Sequence, residues 1–470
     1  MSSPEEKAPS KNIGRYMRYT ALIFAARSLW SQSVLASYIY LLTDNSSEAV
    51  GNVTGLMGLA QVLMSVPSGI LSDKYRRDTV LRASLFVGFT ALTLIIIAVI
   101  SDSFSLLCVG VSVYGAFYGL AYTAGEALLS DSIVSGERSK ILTRKNQFMN
   151  AGTCLGPLTA IAMFYFLGND WTVSDCSFVI LAGQGLCIPA FFLLCSLSDD
   201  HSAKNEEDEE KDLLKDVTRD STDTDTDNDN DNDNDNGTSA RSSSTTTSSP
   251  YSRRVPLIIA LSDLISGLAS GMSIRFFPIF FLDNLDLSPI TVQVLYVLSP
   301  LAIVFLSKQA QKISKKYGRC QITVFFKWIG ISNMMLMILA YKHDFGTPLI
   351  LTFYLLRTTT MNCTSALTKS QLYDYVKKKE RGRFTVLESV NMFSWSGSAA
   401  LGGVLVERIG IINNFIVTGS LQFVATIPLL FLFGLPSEVE QRDRRVSVGS
   451  NGLSKPLLDD DEEDIEGDKP

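Results

Sequence analysis

Twelve apolar runs, each long enough to form a membrane-crossing helix, alternate with short polar turns along this chain. They fall near residues 16–42, 49–72, 79–100, 104–129, 142–167 and 176–197, then near 254–282, 289–311, 321–341, 347–372, 384–406 and 411–434. At a helical rise of about 1.5 Å per residue, roughly 20 apolar residues span the hydrocarbon layer of a bilayer. Inside lipid a helix satisfies its own backbone polar groups, so runs of this length predict helices. The pattern predicts an all-α integral membrane protein with twelve transmembrane helices in two sets of six.

The polar stretches divide the chain. Residues 1–14 read as a tail without the charged, apolar and cleavable parts of a signal peptide, which leaves targeting to the first span. Residues 15–197 form the first six-helix bundle and 253–436 the second. Between them, residues 198–252 pass from an acidic stretch through an Asp/Asn alternation into a Ser/Thr run. Such a segment buries too little surface to offset its ordering entropy, which predicts a disordered acidic linker. Residues 437–470 read as an acidic tail.

Charge adds direction. The formal net charge is -7, but the acidic residues crowd into the linker and tails. Lys74, Arg76, Arg77 and Arg82, then Arg138, Lys140, Arg144 and Lys145, then Lys312, Lys315, Lys316 and Arg319 fall at alternate connections. The intervening turns carry Asp44, Asp102, Asp170 and Asp286 instead. By the positive-inside rule, both termini and the linker are expected in the cytosol. No basic surface for nucleic acid survives this partition. The 7 cysteines form no CxxC or Cys/His cluster, so neither a disulfide framework nor a metal site nor any cofactor is expected. Phosphate-cradling loops and nucleophile motifs are absent, which argues against an enzyme.

An internal repeat supports two related halves. Leu129, Asp131, Glu137, Arg138 and Lys140 recur as Leu372, Asp374, Glu380, Arg381 and Arg383, at a constant offset of 243 residues. In the stretch 69–82, GILSDKYRRDTVLR, the residues Gly69, Leu71, Asp73, Lys74 and Arg77 stand in the order of the loop joining helices 2 and 3 of the major facilitator superfamily. The chain resembles that family over residues 15–435, with Arg76 where a Gly is usual and Asp78 where a further basic residue is common. The resemblance implies a secondary carrier built from parallel repeats. Gly69, Asp73 and Arg77 become candidates for a conformational latch, and the repeated stretch adds Asp131, Arg138, Asp374 and Arg381. Arg76 and Arg77 can alternatively hold anionic lipid head groups.

The nearest branch is the drug/proton antiporters, whose helix 5 motif Gly152, Gly156 and Pro157 resemble; close packing is the other reading of these small residues. The Arg usual in helix 4 of that branch is missing beside Gly115 and Gly119, so antiport by its usual arrangement is not expected. At the repeat offset from Tyr114 stands Arg357.

Ionisable residues inside spans are costly and face a cavity or a partner. Arg27, Glu126, Asp263, Arg275, Arg357 and Lys369 fall in spans 1, 4, 7 and 10, which the resemblance places around a central cavity. Arg27 and Arg357 lie near mid-membrane, and a guanidinium fork suits a carboxylate or phosphate on the solute. Neutralisation of either Arg by Asp263 or Glu126 is the competing reading. Gln61, Trp30 and Tyr122 are expected beside the arginines as polar and aromatic wall. Glu126, Asp263 and Glu388 are the proton-coupling candidates.

The sequence therefore reads as a monomeric secondary transporter moving a small organic solute by alternating access, with proton coupling and membrane lipid as its surroundings. A multidrug/proton antiporter and a non-transporting sensor or scaffold are the alternatives. The plasma membrane is the expected address. Glu209, Leu213 and Leu214 give the spacing of an acidic dileucine signal, which makes a vacuolar or lysosomal membrane the alternative.

Overall fold

A computed structural model describes residues 11–133, 138–201, 250–368 and 381–433. Each of the twelve apolar runs is helical in it. The first is interrupted: α1 (Lys11–Ser31) and α2 (Val34–Leu42) are separated at Gln32–Ser33. There follow α3 (Ser47–Lys74), α4 (Arg77–Ile100), α5 (Phe104–Asp131), α6 (Arg138–Leu167) and α7 (Val173–Cys195). The second half begins with α8 (Pro250–Ile274), which breaks at Arg275–Phe276 and resumes as a short turn, Phe277–Ile279, running into a π-helical turn, Phe280–Asn284. It continues with α9 (Pro289–Tyr317), α10 (Arg319–Lys342), α11 (Thr347–Asn362), α12 (Arg381–Ile409) and α13 (Ile411–Leu430).

Among the described residues, 9 helices are long and apolar enough to cross a membrane. The first run misses that measure because Lys11, Arg15, Arg18 and Arg27 dilute α1. Two corrections to the sequence reading follow: the first and seventh runs are broken rather than continuous. Order also intrudes on the expected linker, because Asp199–His201 form a short turn and Pro250 already opens α8.

The turns at one end of the bundle share a chemistry. Asp44, Asn45, Asp102, Asn169, Asp286 and Asp344 take positive φ there, as does Gly410. Asp and Asn tolerate the left-handed region through local side-chain bonds, which lets each pair of helices reverse within a few residues. Ser46, Ser103 and Thr172 cap the helices that follow by accepting from Ala49, Leu106 and Asp175 N–H groups.

Small residues set the helix spacing. A methyl on Gly115 or Gly119 would collide with the Met57 or Gln61 carbonyl, so α5 lies directly on the backbone of α3. Gly152 and Gly156 place α6 against Ala21, Ser28 and Leu29 of α1, which is the packing role for the run that resembles an antiporter motif. The halves meet along α3 and α12, where Gly51, Gly55 and Gly58 face Ala399, Ala400, Gly403 and Ser396. Polar ties across the halves add direction: Trp171 Nε1 donates to the Leu287 carbonyl at 2.7 Å, and the Ile290 N–H donates to Asn169 Oδ1 at 3.0 Å. Both ties sit at the end carrying the left-handed turns. At the opposite end, a Cβ on Gly69 would meet nothing within 4 Å among the described residues. One face is tied shut there, and its opposite carries no such described tie.

Candidate functional site

Three arginines of the spans each lie over an aromatic ring. Arg27 on α1 lies 4.3 Å from the centre of Tyr118, and Tyr118 stacks on Tyr122 at 5.6 Å and 15°. Arg357 on α11 is 3% exposed and sits 5.0 Å over Phe277, with its Nε unpartnered among the described residues. Arg275, at the break after α8, lies 5.7 Å over Trp395 and donates through Nη1 to the Ser31 carbonyl at 2.7 Å. Ring faces attract a guanidinium through their quadrupole but do not neutralise it. Among the described residues no carboxylate forms an ion pair with any of the three.

Glu126 and Asp263 are engaged elsewhere. Both Glu126 carboxylate oxygens accept from Lys145 Nζ at 2.7 Å, and Tyr16 donates to Oε1 at 2.8 Å. Asp263 faces Lys327 Nζ at 3.7 Å. The neutralising partners are lysines on neighbouring helices, so the reading in which Glu126 or Asp263 cancels Arg27 or Arg357 finds no such contact here. Lys145 also stands 5.9 Å over Tyr122, which links the Glu126 pair to the Arg27 aromatic stack. Sequence reasoning passed over Lys145 because it was grouped with a basic loop. Its signal was the repeat: Lys369 and Glu388 occupy the offset positions of Glu126 and Lys145, with the charges exchanged. Lys369 and the side chain of Glu388 lie outside the described residues.

The uncharged candidates separate. Tyr122 is 40% exposed. Gln61 is buried where α3 crosses α5, its carbonyl against Gly119. Trp30 is fully buried, edge-on to Tyr114 at 5.0 Å and packed on Gly183, so it faces the core of the first bundle.

The basic loop forms a network. Arg77 pairs with Asp131, donates to the Ala127 carbonyl at 3.3 Å, and its backbone N–H donates to Asp199 Oδ2 at 2.6 Å. Arg76 bridges Asp78 at 3.1 Å and Asp200 at 2.8 Å. Those side-chain hydrogen bonds, Asp78 first, raise the guanidinium further above its ordinary range. The two departures from the family loop thus complete one another: the unusual Arg76 meets the unusual Asp78. Asn12 extends the network, donating to Ser132 Oγ at 3.2 Å and the Ser198 carbonyl at 2.7 Å. Asp73 is exposed and makes no hydrogen bond or ion pair with the described residues. Asp374 and the side chains of Arg138 and Arg381 lie outside the described residues.

The sequence profile of the Major Facilitator Superfamily matches residues 19–400, with an overlapping match over 259–456. The chain belongs to the Major Facilitator Superfamily. A stretch of 125 residues is 30% identical to an uncharacterized transporter of Buchnera aphidicola subsp. Schizaphis graminum (strain Sg), covering 26% of this chain and 31% of that protein. The chain therefore matches about a third of that relative's length. Among solved structures it shares its fold with a bacterial homologue of the iron transporter ferroportin in an inward-facing state, at TM-score 0.62 and 13% identity over 90% of this chain and 99% of the other. The D-xylose-proton symporter gives TM-score 0.63 at 11% identity over 89% and 96%. The nucleoside transporter NupG gives 0.61 at 13% over 90% and 99%. This superfamily member is a multi-pass membrane transporter.

Proposed function

We propose that this transporter is a secondary carrier for a small organic anion, working by alternating access, with Arg27, Arg275 and Arg357 as the groups that hold the anion. The observation that carries the reading is the trio of aromatic-backed guanidinium groups without a described acid partner. A bare cation inside a helix bundle costs free energy, and an anionic solute offsets that cost when bound. The aromatic faces of Tyr118, Tyr122, Phe277 and Trp395 suit an organic body better than an inorganic ion.

With the basic loops on the cytosolic side, the tied face is extracellular or lumenal, and the present state opens to the cytosol. Proton coupling runs through Glu126. Protonating that carboxylate breaks its pair with Lys145, and the released ammonium lies beside the ring stack that carries Arg27. The carrier acts as a monomer, in the plasma membrane in preference to an organelle.

Thermal stability of the purified protein, measured against organic anions, neutral metabolites and lipophilic cations, tests the substrate class, because ligands that bind the folded form raise its apparent stability by mass action. Anions are expected to stabilise the parent, and Arg27→Ala and Arg357→Ala to lose the effect. Equal stabilisation of all three proteins by lipophilic cations would sink the anion reading.

A further inference from the structure

The first turns of α1 carry cations on one side only. The exposed residues of this helix are Lys11, Gly14 and Arg18, and Arg15 beside them is half-buried. Residues three and four apart share a helix face, so the three cations and the glycine form one stripe. Arg27 follows Arg18 by about two and a half turns, which puts it on the opposite side of the helix. That opposite side faces α5, where Arg27 lies over Tyr118 and Tyr16 reaches Glu126. The basic stripe therefore looks away from the groups proposed to hold the solute.

No described acid neutralises the stripe. Lys11, Arg15 and Arg18 form no ion pair among the described residues. Arg15 donates through Nη1 to the carbonyl of Ser196, the residue that ends α7, at 2.6 Å, and Arg18 donates through Nε to the Gly14 carbonyl at 3.2 Å. The acids that follow Ser196 are turned to α4 and its cap: Asp199 accepts from the Arg77 N–H and Asp200 from Arg76. A Cβ on Gly14 would meet nothing within 4 Å among the described residues, so bare backbone floors a notch between Lys11 and Arg18. Phe192, one turn before Ser196 on the same face of α7, is 67% exposed. Cations thus stand at the start of the first apolar run and an exposed ring stands one turn deeper, the order of a phospholipid's headgroup and acyl chain. A free phosphate ion has no use for the ring. With the basic loops on the cytosolic side, this end lies in the leaflet whose surface is negative.

We propose that the α1 stripe and the end of α7 hold an anionic phospholipid, with its phosphate in the Gly14 notch among Lys11, Arg15 and Arg18 and an acyl chain along Phe192. The site is independent of the solute and of proton coupling. A lipid seated there braces α1, the helix that carries Arg27, against α7 at the inner boundary of the bilayer.

The test uses the purified full chain in neutral detergent. Thermal stability is titrated with phosphatidylglycerol and phosphatidylcholine of identical chains and, at fixed ionic strength, with glycerol phosphate. Phosphatidylglycerol is expected to stabilise at a concentration lower than phosphatidylcholine by roughly tenfold or more, as suits three basic residues at a membrane surface. Glycerol phosphate is expected to leave stability unchanged. Two variants should abolish the preference by different routes. A combined Lys11→Gln, Arg15→Gln and Arg18→Gln variant deletes the cations, and Gly14→Glu sets a carboxylate in the open notch without a clash. A combined Lys315→Gln and Lys316→Gln variant, which removes exposed cations from a basic loop of the second half, should keep the preference intact. Equal stabilisation of the parent by both lipids overturns the site, as does a preference that survives either α1 variant. A preference lost equally in the Lys315 and Lys316 variant reduces the effect to general surface charge and overturns it too. Stabilisation by glycerol phosphate to the same extent as by the lipid makes the notch a phosphate site and ends the lipid reading.

Discussion

Glu126 shows how one residue's role depends on what faces it. Its two oxygens are both engaged by Lys145 and one also by Tyr16. Under the proposed proton coupling, protonation of Glu126 gives up this pair. Glu126→Gln keeps the shape and removes the charge change. In reconstituted vesicles it is expected to retain exchange of solute for solute, and to lose most accumulation driven by a pH gradient. Uphill accumulation that survives the substitution would move the proton site to Asp263 or Glu388. At this scale the sequence disclosed the acids and the arginines, because charge in an apolar span is conspicuous. It hid their pairing, because Lys145 and Lys327 sit near helix ends where cations are ordinary, and a single sequence does not say which neighbours turn toward them.

Among the elements, helix existence was legible throughout and helix continuity was not. Twelve apolar runs announced twelve helical segments, since lipid leaves the backbone no other regular choice. The interruptions at Gln32–Ser33 and Arg275–Phe276 involve no proline or glycine at the break itself, so the usual punctuation was missing. They are fixed by tertiary bonds across the halves. Glycines divide in the same way. Gly115 rests on the Met57 carbonyl, whereas Gly69 has open space beside it among the described residues, although both belong to runs singled out by sequence. Gly115→Ala is therefore expected to lower stability by about 1–3 kcal/mol through overpacking, read as a fall in Tm of the detergent-solubilised protein. Gly69→Ala should leave that Tm unchanged and slow solute exchange instead, because its close approach belongs to the other state. A Tm loss at Gly69 equal to that at Gly115 would show the two glycines to be the same kind of packing residue.

For the whole molecule, the distribution of ties between the halves defines the work of transport. One face is fastened by Trp171 to Leu287, Asn169 to Ile290, Gln293 to Ser33 and Arg275 to Ser31. At the opposite end the described network of Arg77, Asp131, Asp199 and Asn12 lies in the first half, and Asp73 stands outside it, exposed. Under the proposed alternating access, a carboxylate at the end of α3 that pairs with nothing described in this state can pair in the other, with the second half brought against it. Removing a contact made in only one of two states shifts the balance toward the state that lacks it. Asp73→Asn is thus expected to favour the present state and slow interconversion, leaving solute affinity within about twofold of the parent, as befits a charge remote from the cavity. Trp171→Phe, which deletes a tie on the fastened face, should push the other way. Accessibility of single cysteines placed on each face, read with a membrane-impermeant thiol reagent, separates the two. Opposite shifts for the two variants are the expected outcome; an Asp73→Asn protein that loses solute affinity at an unchanged exchange rate would place Asp73 in the solute site and end its reading as a latch.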